Sequence, residues 1–193
     1  MTTNVLLTGA TGFTGSFVCQ ELLKRGISFD CLVRASSQTQ KLESLGLKLV
    51  EANLDDLQSL CRVFTGYQTL INVASLGFGA APKIVQACEE SGINRAVFVS
   101  TTAIFTKLNA ETKVVRQAAE AAITNSSLDY TILRPTMIYG TPDDRNMVPL
   151  LRIIRLSPFI PVLVDGYSLQ LPVHVEDVAC AICEVLNSPL SYR

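Results

Sequence analysis

Three regularly spaced glycines are the residues of this sequence best suited to binding an anionic ligand. They lie in the run Thr8-Gly9-Ala10-Thr11-Gly12-Phe13-Thr14-Gly15, between an apolar segment and a helical one. Gly9 permits a tight turn, Gly12 lets the backbone approach a pyrophosphate, and Gly15 lets helix and strand pack closely. Because a helix N-terminus presents free N–H groups, we predict that the run from Gly9 to Gly15 binds a dinucleotide. The alternative is a glycine-rich turn without a ligand.

Arg34 indicates which dinucleotide this would be. It ends the second apolar segment, Cys31-Leu32-Val33-Arg34. A site for NAD usually carries an acidic residue there for the ribose 2′-hydroxyl, whereas a guanidinium forms paired hydrogen bonds with a 2′-phosphate. Ser36 and Ser37 could add hydroxyl donors, and Asp30 lies too early in the segment. We therefore expect NADP(H) in preference to NAD(H); the alternative is a solvent-facing Arg34 without a role.

The elements that must position these residues alternate between strands and helices. Strands are predicted over 4–8, 28–34, 47–51, 69–73, 95–100 and 130–133, and helices over 13–25, 38–45, 56–64, 80–91, 110–124, 148–156 and 175–187. The strands are continuously apolar, which is typical of a parallel sheet covered on both faces. We predict the α/β fold class, with residues 1–193 forming a single Rossmann domain around a doubly wound parallel sheet. Asp55 is the expected cap of the third helix.

The segment 140–173 interrupts the alternation with five prolines and several polar turns. Ligands of open α/β sheets bind beyond the carboxyl ends of the strands. We therefore expect this small C-terminal segment to form the substrate side of a cleft. Arg145 and Asn146 could meet a polar substrate there, and ordinary surface-loop polarity is the alternative.

Several further runs resemble one family. They are Val99-Ser100-Thr101-Thr102-Ala103, Thr131-Ile132-Leu133-Arg134-Pro135-Thr136 with Tyr139-Gly140, and Pro172-Val173-His174-Val175-Glu176-Asp177-Val178-Ala179. With the glycine motif, they make nearly the whole chain resemble the short-chain dehydrogenase/reductase superfamily in its extended or atypical branches. Those branches include the NAD-dependent epimerases and dehydratases, the NmrA-like proteins and relatives of the 39-kDa subunit of respiratory complex I.

The resemblance implies further cofactor contacts. By analogy, the residues after the third strand would meet the adenine, those after the fourth would pass along the cofactor, and those after the sixth would lie near the nicotinamide. These positions are, in that order, Asn53 and Leu54; Val73, Ala74 and Ser75; Pro135, Thr136 and Met137. An asparagine can still accept a hydrogen bond from the adenine amine through its side-chain oxygen. Dimers are common in the superfamily, so a homodimer is a further expectation.

The catalytic tyrosine of the superfamily has no counterpart here. Active members use a Ser or Thr, a Tyr and a Lys, and the cation lowers the pKa of the phenol. In one register Lys113 is the lysine and Asn109 stands at the tyrosine position. In the other, set by Glu120, Arg116 and Thr112 take these two places. Both registers stay open, and both keep a cation near the ribose.

Other residues could supply chemistry instead. Thr102 matches the Ser or Thr of the family. Tyr139 follows the sixth strand near the expected nicotinamide, and His174 is the single histidine of the chain, a residue type that titrates near neutral pH. The alternatives are a structural role for Tyr139 and a hydrogen-bonding role for His174.

Two functions are compatible with this pattern. One is an atypical NADP(H)-dependent oxidoreductase, or an epimerase- or dehydratase-like enzyme, acting on a small molecule; Thr102 and the helical cation favour it. The other is a non-catalytic NADP(H)-binding redox sensor or assembly factor, which the missing tyrosine favours.

Composition and net charge limit the classes of binding partner. The formal net charge is −1, with 48% hydrophobic and 17% charged residues, which gives no basis for binding nucleic acid or an anionic membrane. No apolar run reaches the ~18 residues of a membrane span, and the first residues lack the basic stretch of a secretory signal. We therefore expect a cytoplasmic protein without a membrane span.

The six cysteines do not predict a metal site. They are scattered along the chain, as expected of reduced thiols in a cytoplasmic protein. Cys180 and Cys183 form a CxxC pair, but no second pair or nearby histidine pair completes a zinc site. Cys183 also lies on the apolar stripe of the last helix, so we interpret it as a core residue.

Overall fold

Six parallel strands form the central sheet of the protein. The computed structural model describes residues 4–106, 111–142, 144, 147–157, 159 and 171–187. The strands are β1 (Val5–Thr8), β2 (Phe29–Val33), β3 (Leu49–Glu51), β4 (Thr69–Asn72), β5 (Arg95–Val99) and β6 (Asp129–Leu133), in the spatial order β3-β2-β1-β4-β5-β6. The order reverses between β1 and β4, which is where a doubly wound sheet binds its ligands. The predicted fold class is confirmed.

Helices cover both faces of the sheet. They are α1 (Phe13–Lys24), α2 (Gln40–Ser44), α3 (Leu57–Phe64), α4 (Ala81–Ser91), α5 (Glu111–Thr124) and α7 (Val175–Asn187). A further helix, α6 (Met147–Leu156), contributes no buried residue. Successive strand residues point to opposite faces, so Leu6 enters the core beneath α3, α4 and α5, and Leu7 enters the core beneath α1 and α7. Cys183 is fully buried in the second core, as its apolar stripe predicts.

Local structure differs from the prediction in two places. Asp56, not Asp55, caps α3, because its carboxylate accepts a hydrogen bond from the Ser59 N–H at 3.2 Å. The Asp55 N–H is held instead by the Asn53 side-chain oxygen at 3.0 Å, in a turn that places Asp56 at the helix start. A short parallel pair, β7 (Ile138–Tyr139) with β8 (Val173–His174), was not predicted. Two-residue strands are too short to show a hydrophobic period.

Within the described ranges, every helix is too short or too polar to serve as a membrane-spanning segment.

Candidate functional site

A cavity of about 480 Å³ opens at the carboxyl ends of β1, β2 and β4. We call it the glycine-turn cavity. Its walls are the turn after β1, the end of β2 and the segments after β3 and β4. Nine of the predicted cofactor residues line it: Gly9, Thr11, Gly12, Arg34, Asn53, Leu54, Val73, Ala74 and Ser75. The sequence motifs, which are dispersed over 67 positions from Gly9 to Ser75, therefore converge on one cavity.

The three glycines have different structural tasks. Gly9 has φ +77°, and a Cβ there would lie 2.6 Å from the Ala74 backbone nitrogen. A Cβ on Gly15 would overlap the Gly9 carbonyl oxygen, so this glycine lets α1 start close behind the turn. A Cβ on Gly12 would meet only the Gly9 oxygen, at 3.3 Å, and Gly12 lines the cavity. This backbone offers the close approach that a pyrophosphate needs.

The other predicted residues of the turn lie beside or behind the cavity. Ala10 is buried, while Phe13 and Thr14 are half-buried on the first turn of α1. They line no part of the described cavity wall. Phe13 and Thr14 begin α1, whose first N–H groups have no partner within the helix and so favour an anion.

A buried polar chain supports the wall after β4. The Thr8 hydroxyl donates a hydrogen bond to the Asn72 side-chain oxygen at 2.6 Å, and the Asn72 amide nitrogen donates to the Ala74 carbonyl at 3.0 Å. These bonds fix the Ala74 backbone where it passes Gly9. Asn72 is not among the predicted site residues, although a polar residue that closes the run Thr-Leu-Ile-Asn is a usable signal.

The Arg34 side chain is exposed at the rim of the glycine-turn cavity. The backbone N–H of Arg34 donates a hydrogen bond to the Ser37 hydroxyl at 3.1 Å. Asp55 is the one acidic residue on the described part of the wall, and its carbonyl accepts a hydrogen bond from the Lys83 ammonium at 2.6 Å. The rim therefore combines a guanidinium and a hydroxyl with a single carboxylate.

Asp30 lies at the opposite, amino edge of the sheet. Its buried carboxylate accepts hydrogen bonds from the Tyr67 hydroxyl at 2.5 Å and the Lys48 ammonium at 2.7 Å. Burial, followed by the hydrogen bond and the negative charge of Asp30, raises the pKa of Tyr67. Because Asp30 is committed to this group, it contributes nothing to the glycine-turn cavity.

Asn53 keeps the capacity expected of an adenine contact. It lines the cavity, and its side-chain oxygen already accepts the Asp55 N–H. An amide oxygen has two lone pairs, so one acceptor position is left for a second donor.

A second cavity, of about 840 Å³, opens at the carboxyl ends of β5 and β6. We call it the threonine cavity, because Thr101, Thr102, Thr106 and Thr136 line it. Its apolar lining includes Phe105, Pro135, Met137, Ile138 and Leu171. The Thr102 N–H donates to the Pro135 carbonyl at 3.2 Å, so the structure brings together Thr102 and the residues expected near the nicotinamide. No charged side chain belongs to the described part of this lining.

A buried carboxylate braces the same strand ends. Glu120 of α5 accepts a hydrogen bond from Ser100 at 2.5 Å and bonds at 2.6–3.1 Å from the Arg134 guanidinium. Burial favours a higher pKa for Glu120, but the bonds from Arg134 and Ser100 outweigh it and lower the pKa. In the sequence Glu120 served only to set a register, and this hydrogen-bonded group was not predicted because its members come from three separate parts of the chain.

Lys113 and Arg116, the two cations of α5, contact the walls of different cavities. The Lys113 ammonium donates to the Thr106 carbonyl at 2.5 Å, on the wall of the threonine cavity. The Arg116 guanidinium donates to the Thr112 hydroxyl at 2.8 Å and lies against Gly77, where an added Cβ would be 3.2 Å from it. The loop around Gly77 belongs to the wall of the glycine-turn cavity. Asn109, the alternative tyrosine position, lies outside the described residues, as do Arg145 and Asn146.

Tyr139 and His174 pack against each other. Their rings meet edge to face with centroids 5.2 Å apart, and His174 Nδ1 accepts the Glu176 N–H at 3.3 Å. A Cβ on Gly140 would lie 3.0 Å from His174 Nε2, so the close approach of the His174 ring to position 140 requires a glycine there. Neither ring belongs to the described lining of either cavity. These contacts fit the structural alternatives for both residues.

A family model described as NAD(P)H-binding matches residues 9–189. The chain belongs to this family. The match begins at the first glycine of the turn and includes every predicted cofactor residue. The glycine cradle and the cationic rim described above fit a dinucleotide of this kind.

Relatives of this NAD(P)H-binding chain have diverse descriptions. The mitochondrial "NADH dehydrogenase (ubiquinone) 1 alpha subcomplex subunit 9" of Arabidopsis thaliana is 28% identical over 93% of this chain and 49% of its own length. A 2-alkyl-3-oxoalkanoate reductase of Stenotrophomonas maltophilia is 24% identical over 92% of this chain and 63% of its own. The chain thus spans only about half to two thirds of these curated relatives.

Solved structures support the fold. An NADPH-dependent quinone oxidoreductase of Escherichia coli superposes with a TM-score of 0.77 and 20% identity, over 96% of this chain and 64% of its own. The chain thus shares its fold with this protein and with a "putative NAD-dependent epimerase/dehydratase" of Bacillus halodurans, as the resemblance implies.

Proposed function

We propose that the protein binds NADP(H) in the glycine-turn cavity and reduces a small neutral carbonyl compound in the threonine cavity. The observation that carries this proposal is the placement of both cavities at one edge of the sheet, where β4 and β5 are neighbouring strands. A dinucleotide that extends from one to the other would bring its reactive end to Thr102. The uncharged described lining of the threonine cavity favours a neutral substrate.

The chemistry divides between cofactor and protein. NADPH, when bound, supplies a hydride to the carbonyl carbon. The Thr102 hydroxyl would donate a hydrogen bond to the carbonyl oxygen, where negative charge develops, and water would supply the proton. Lys113, held at the wall through Thr106, adds a positive charge nearby. Without a phenol for proton transfer we expect slow turnover.

The preference for NADP(H) rests on Arg34 and Ser37 at the rim. Calorimetric titration with NADPH and NADH tests it, on wild type, Arg34→Ala and the matched control Lys41→Ala, which removes an exposed cation outside the cavity. Wild type should bind NADPH more tightly than NADH. Arg34→Ala should weaken NADPH roughly 10- to 100-fold, the loss of a charge-assisted contact, and leave NADH unchanged. Equal affinities for the two nucleotides in wild type would overturn the preference.

A second candidate is a non-catalytic NADP(H)-binding sensor or assembly factor. It is favoured by the absence of a tyrosine from the described lining of the threonine cavity, and by a relative described as a subunit of an NADH dehydrogenase complex. A panel of quinones, aldehydes and enones, followed by NADPH absorbance at 340 nm over hours, separates the two. Tight NADPH binding without turnover of any compound would favour the sensor or assembly factor over the reductase.

The compartment and the oligomeric state of the protein are also proposed. We propose the cytoplasm as the compartment, supported by six cysteines that are all free thiols. A homodimer is tested by sedimentation velocity over a range of concentrations.

A further inference from the structure

Helix α6 leaves its apolar side chains in solvent. It has no buried residue. Six of the thirteen exposed large apolar side chains in the described part of the chain lie between positions 150 and 159: Leu150, Leu151, Ile153, Ile154, Leu156 and Phe159. Leu156 and Phe159 are 86% and 80% exposed, and the other four side chains are 40–49% exposed. Scattered apolar side chains need no explanation, but a concentrated patch of this kind marks an interaction surface.

Among the described residues, α6 contributes no side chain to either core of the sheet. Asp144 caps it, with its carboxylate accepting hydrogen bonds from the Met147 N–H at 2.6 Å and the Val148 N–H at 3.3 Å. A capped ten-residue helix is marginal in water unless one face is packed. Within the described part of the chain, the apolar face of α6 is therefore not packed against a core.

The charged residues of α6 indicate what kind of surface would cover its apolar face. Its two charged residues are Arg152 and Arg155, which lie about 60° apart around the helix axis, and the apolar side chains occupy most of the remaining circumference. Between Asp144 and Asp165 the sequence contains arginines but no acidic residue. Arginines on one side, leucines and isoleucines on the other, and no acidic residue are features shared with helices that lie in the interface of an anionic membrane.

We propose that α6 docks the protein on the surface of an anionic lipid membrane. The helix would lie parallel to the surface, with Ile153 and Leu156 among the acyl chains and with Arg152 and Arg155 extended to lipid phosphates. The net charge of −1 does not oppose this, because a peripheral contact depends on the local charge of the docking element. The docking does not depend on the proposed reductase activity.

A second copy of the chain fits this face less well. A ten-residue helix is about 15 Å long and about 10 Å wide. The area of its apolar face is therefore far below the roughly 800 Å² that each partner contributes to a stable interface. A two-fold contact between α6 helices would also bring the two arginines towards their own copies. An anionic lipid surface requires no such area and attracts both charges.

Vesicle co-sedimentation tests the proposal, with vesicles of phosphatidylcholine alone and of phosphatidylcholine with an equal amount of phosphatidylglycerol. Wild type should bind the anionic vesicles, and added salt should weaken that binding. The double variant Arg152→Glu/Arg155→Glu should bind them roughly 30-fold or more less tightly. Ile153→Ser/Leu156→Ser should lose binding as well, because the apolar face is then no longer available for insertion.

Two control variants make the test specific. Lys41→Glu/Arg62→Glu changes the net charge by the same amount at exposed positions of α2 and α3 and should retain binding. Leu23→Ser/Leu45→Ser removes exposed apolar side chains elsewhere and should also retain it. Circular dichroism and thermal unfolding confirm that each variant folds, as expected where no buried residue is changed.

Three results would overturn the proposal. Wild type that binds neither vesicle type is one, and equal loss of binding in the Lys41→Glu/Arg62→Glu control is another. The third is a concentration-dependent dimer in lipid-free sedimentation velocity that Ile153→Ser/Leu156→Ser abolishes, because a second copy would then cover α6.

Discussion

The Arg134 guanidinium, just after β6, donates hydrogen bonds to both carboxylate oxygens of Glu120 on α5. The Glu120 side chain is 8% exposed and that of Arg134 is 38% exposed, so the pair spans the boundary between core and cavity edge. Arg134 also lies 5.8 Å from the centroid of the Phe105 ring, which lines the threonine cavity. This ion pair joins α5 to the strand ends that carry Ser100 and Pro135.

Arg134→Ala should destabilise the protein by about 2–3 kcal/mol at pH 7. It leaves a buried carboxylate with only the Ser100 hydroxyl, and partial exposure of Arg134 keeps the loss below that of a fully buried pair. Urea unfolding measures it. Glu184→Gln is the control, since Glu184 forms an exposed ion pair with Arg25 and its loss should cost less than about 1 kcal/mol. Equal effects of the two substitutions would contradict the structural role of Glu120.

The same pair should make stability fall in acid. Because the folded protein lowers the pKa of Glu120, its stabilisation is complete above the ordinary value of about 4.3 and is lost as pH falls through the lowered value. The difference in unfolding free energy between wild type and Glu120→Gln should therefore shrink below about pH 4. A difference that is constant from pH 7 to pH 3 would show that Glu120 has no lowered pKa.

Gly12→Ala and Gly15→Ala should have opposite consequences. The new methyl group at Gly15 would overlap the Gly9 carbonyl, so we expect a loss of about 2–3 kcal/mol in unfolding free energy. The methyl group at Gly12 has room within the protein but enters the cavity, so we expect a nearly unchanged fold and roughly tenfold weaker NADPH binding.

Thermal unfolding and calorimetry measure these two effects. Gly26→Ala is the control, because Gly26 has φ +67° but nothing within 4 Å of an added Cβ. It should lower stability by only about 1 kcal/mol and leave NADPH binding intact. Unchanged NADPH affinity in Gly12→Ala would mean that the pyrophosphate does not approach this turn.

The sequence predicts the glycine turn because Gly9, Gly12 and Gly15 act within one strand-turn-helix unit. The residues after β3 and β4 followed from the strand assignments and the family resemblance. It could not predict the contact among Ser100, Glu120 and Arg134, because these side chains meet only once β5, α5 and β6 are in place. Nor does the sequence show that α6, although correctly expected to be a helix, has no buried side chain among the described residues.

The roles of Lys113 and Arg116 can be distinguished by the effects of their substitution on kcat and on the Kd for NADPH. Lys113 binds the Thr106 carbonyl at the threonine cavity, so Lys113→Met should lower kcat for carbonyl reduction and leave the Kd for NADPH unchanged. Arg116 packs on Gly77 beside the glycine-turn cavity, so Arg116→Met should raise that Kd roughly threefold or more. Lys113→Arg and Arg116→Lys should recover part of each loss. The reverse pattern would assign the family lysine position to Arg116.

Thr102→Val should separate carbonyl reduction from cofactor binding. Valine keeps the shape of threonine but removes the hydroxyl that we propose stabilises the developing oxyanion, so we expect kcat to fall by roughly 10²-fold with the Kd for NADPH unchanged. Thr102→Ser restores a hydroxyl at the same place and should recover most of the activity. Single-turnover oxidation of bound NADPH at 340 nm measures the step directly. If Thr102→Val reduces the carbonyl compound as fast as wild type, another group stabilises the oxyanion, and the role we propose for Thr102 is wrong.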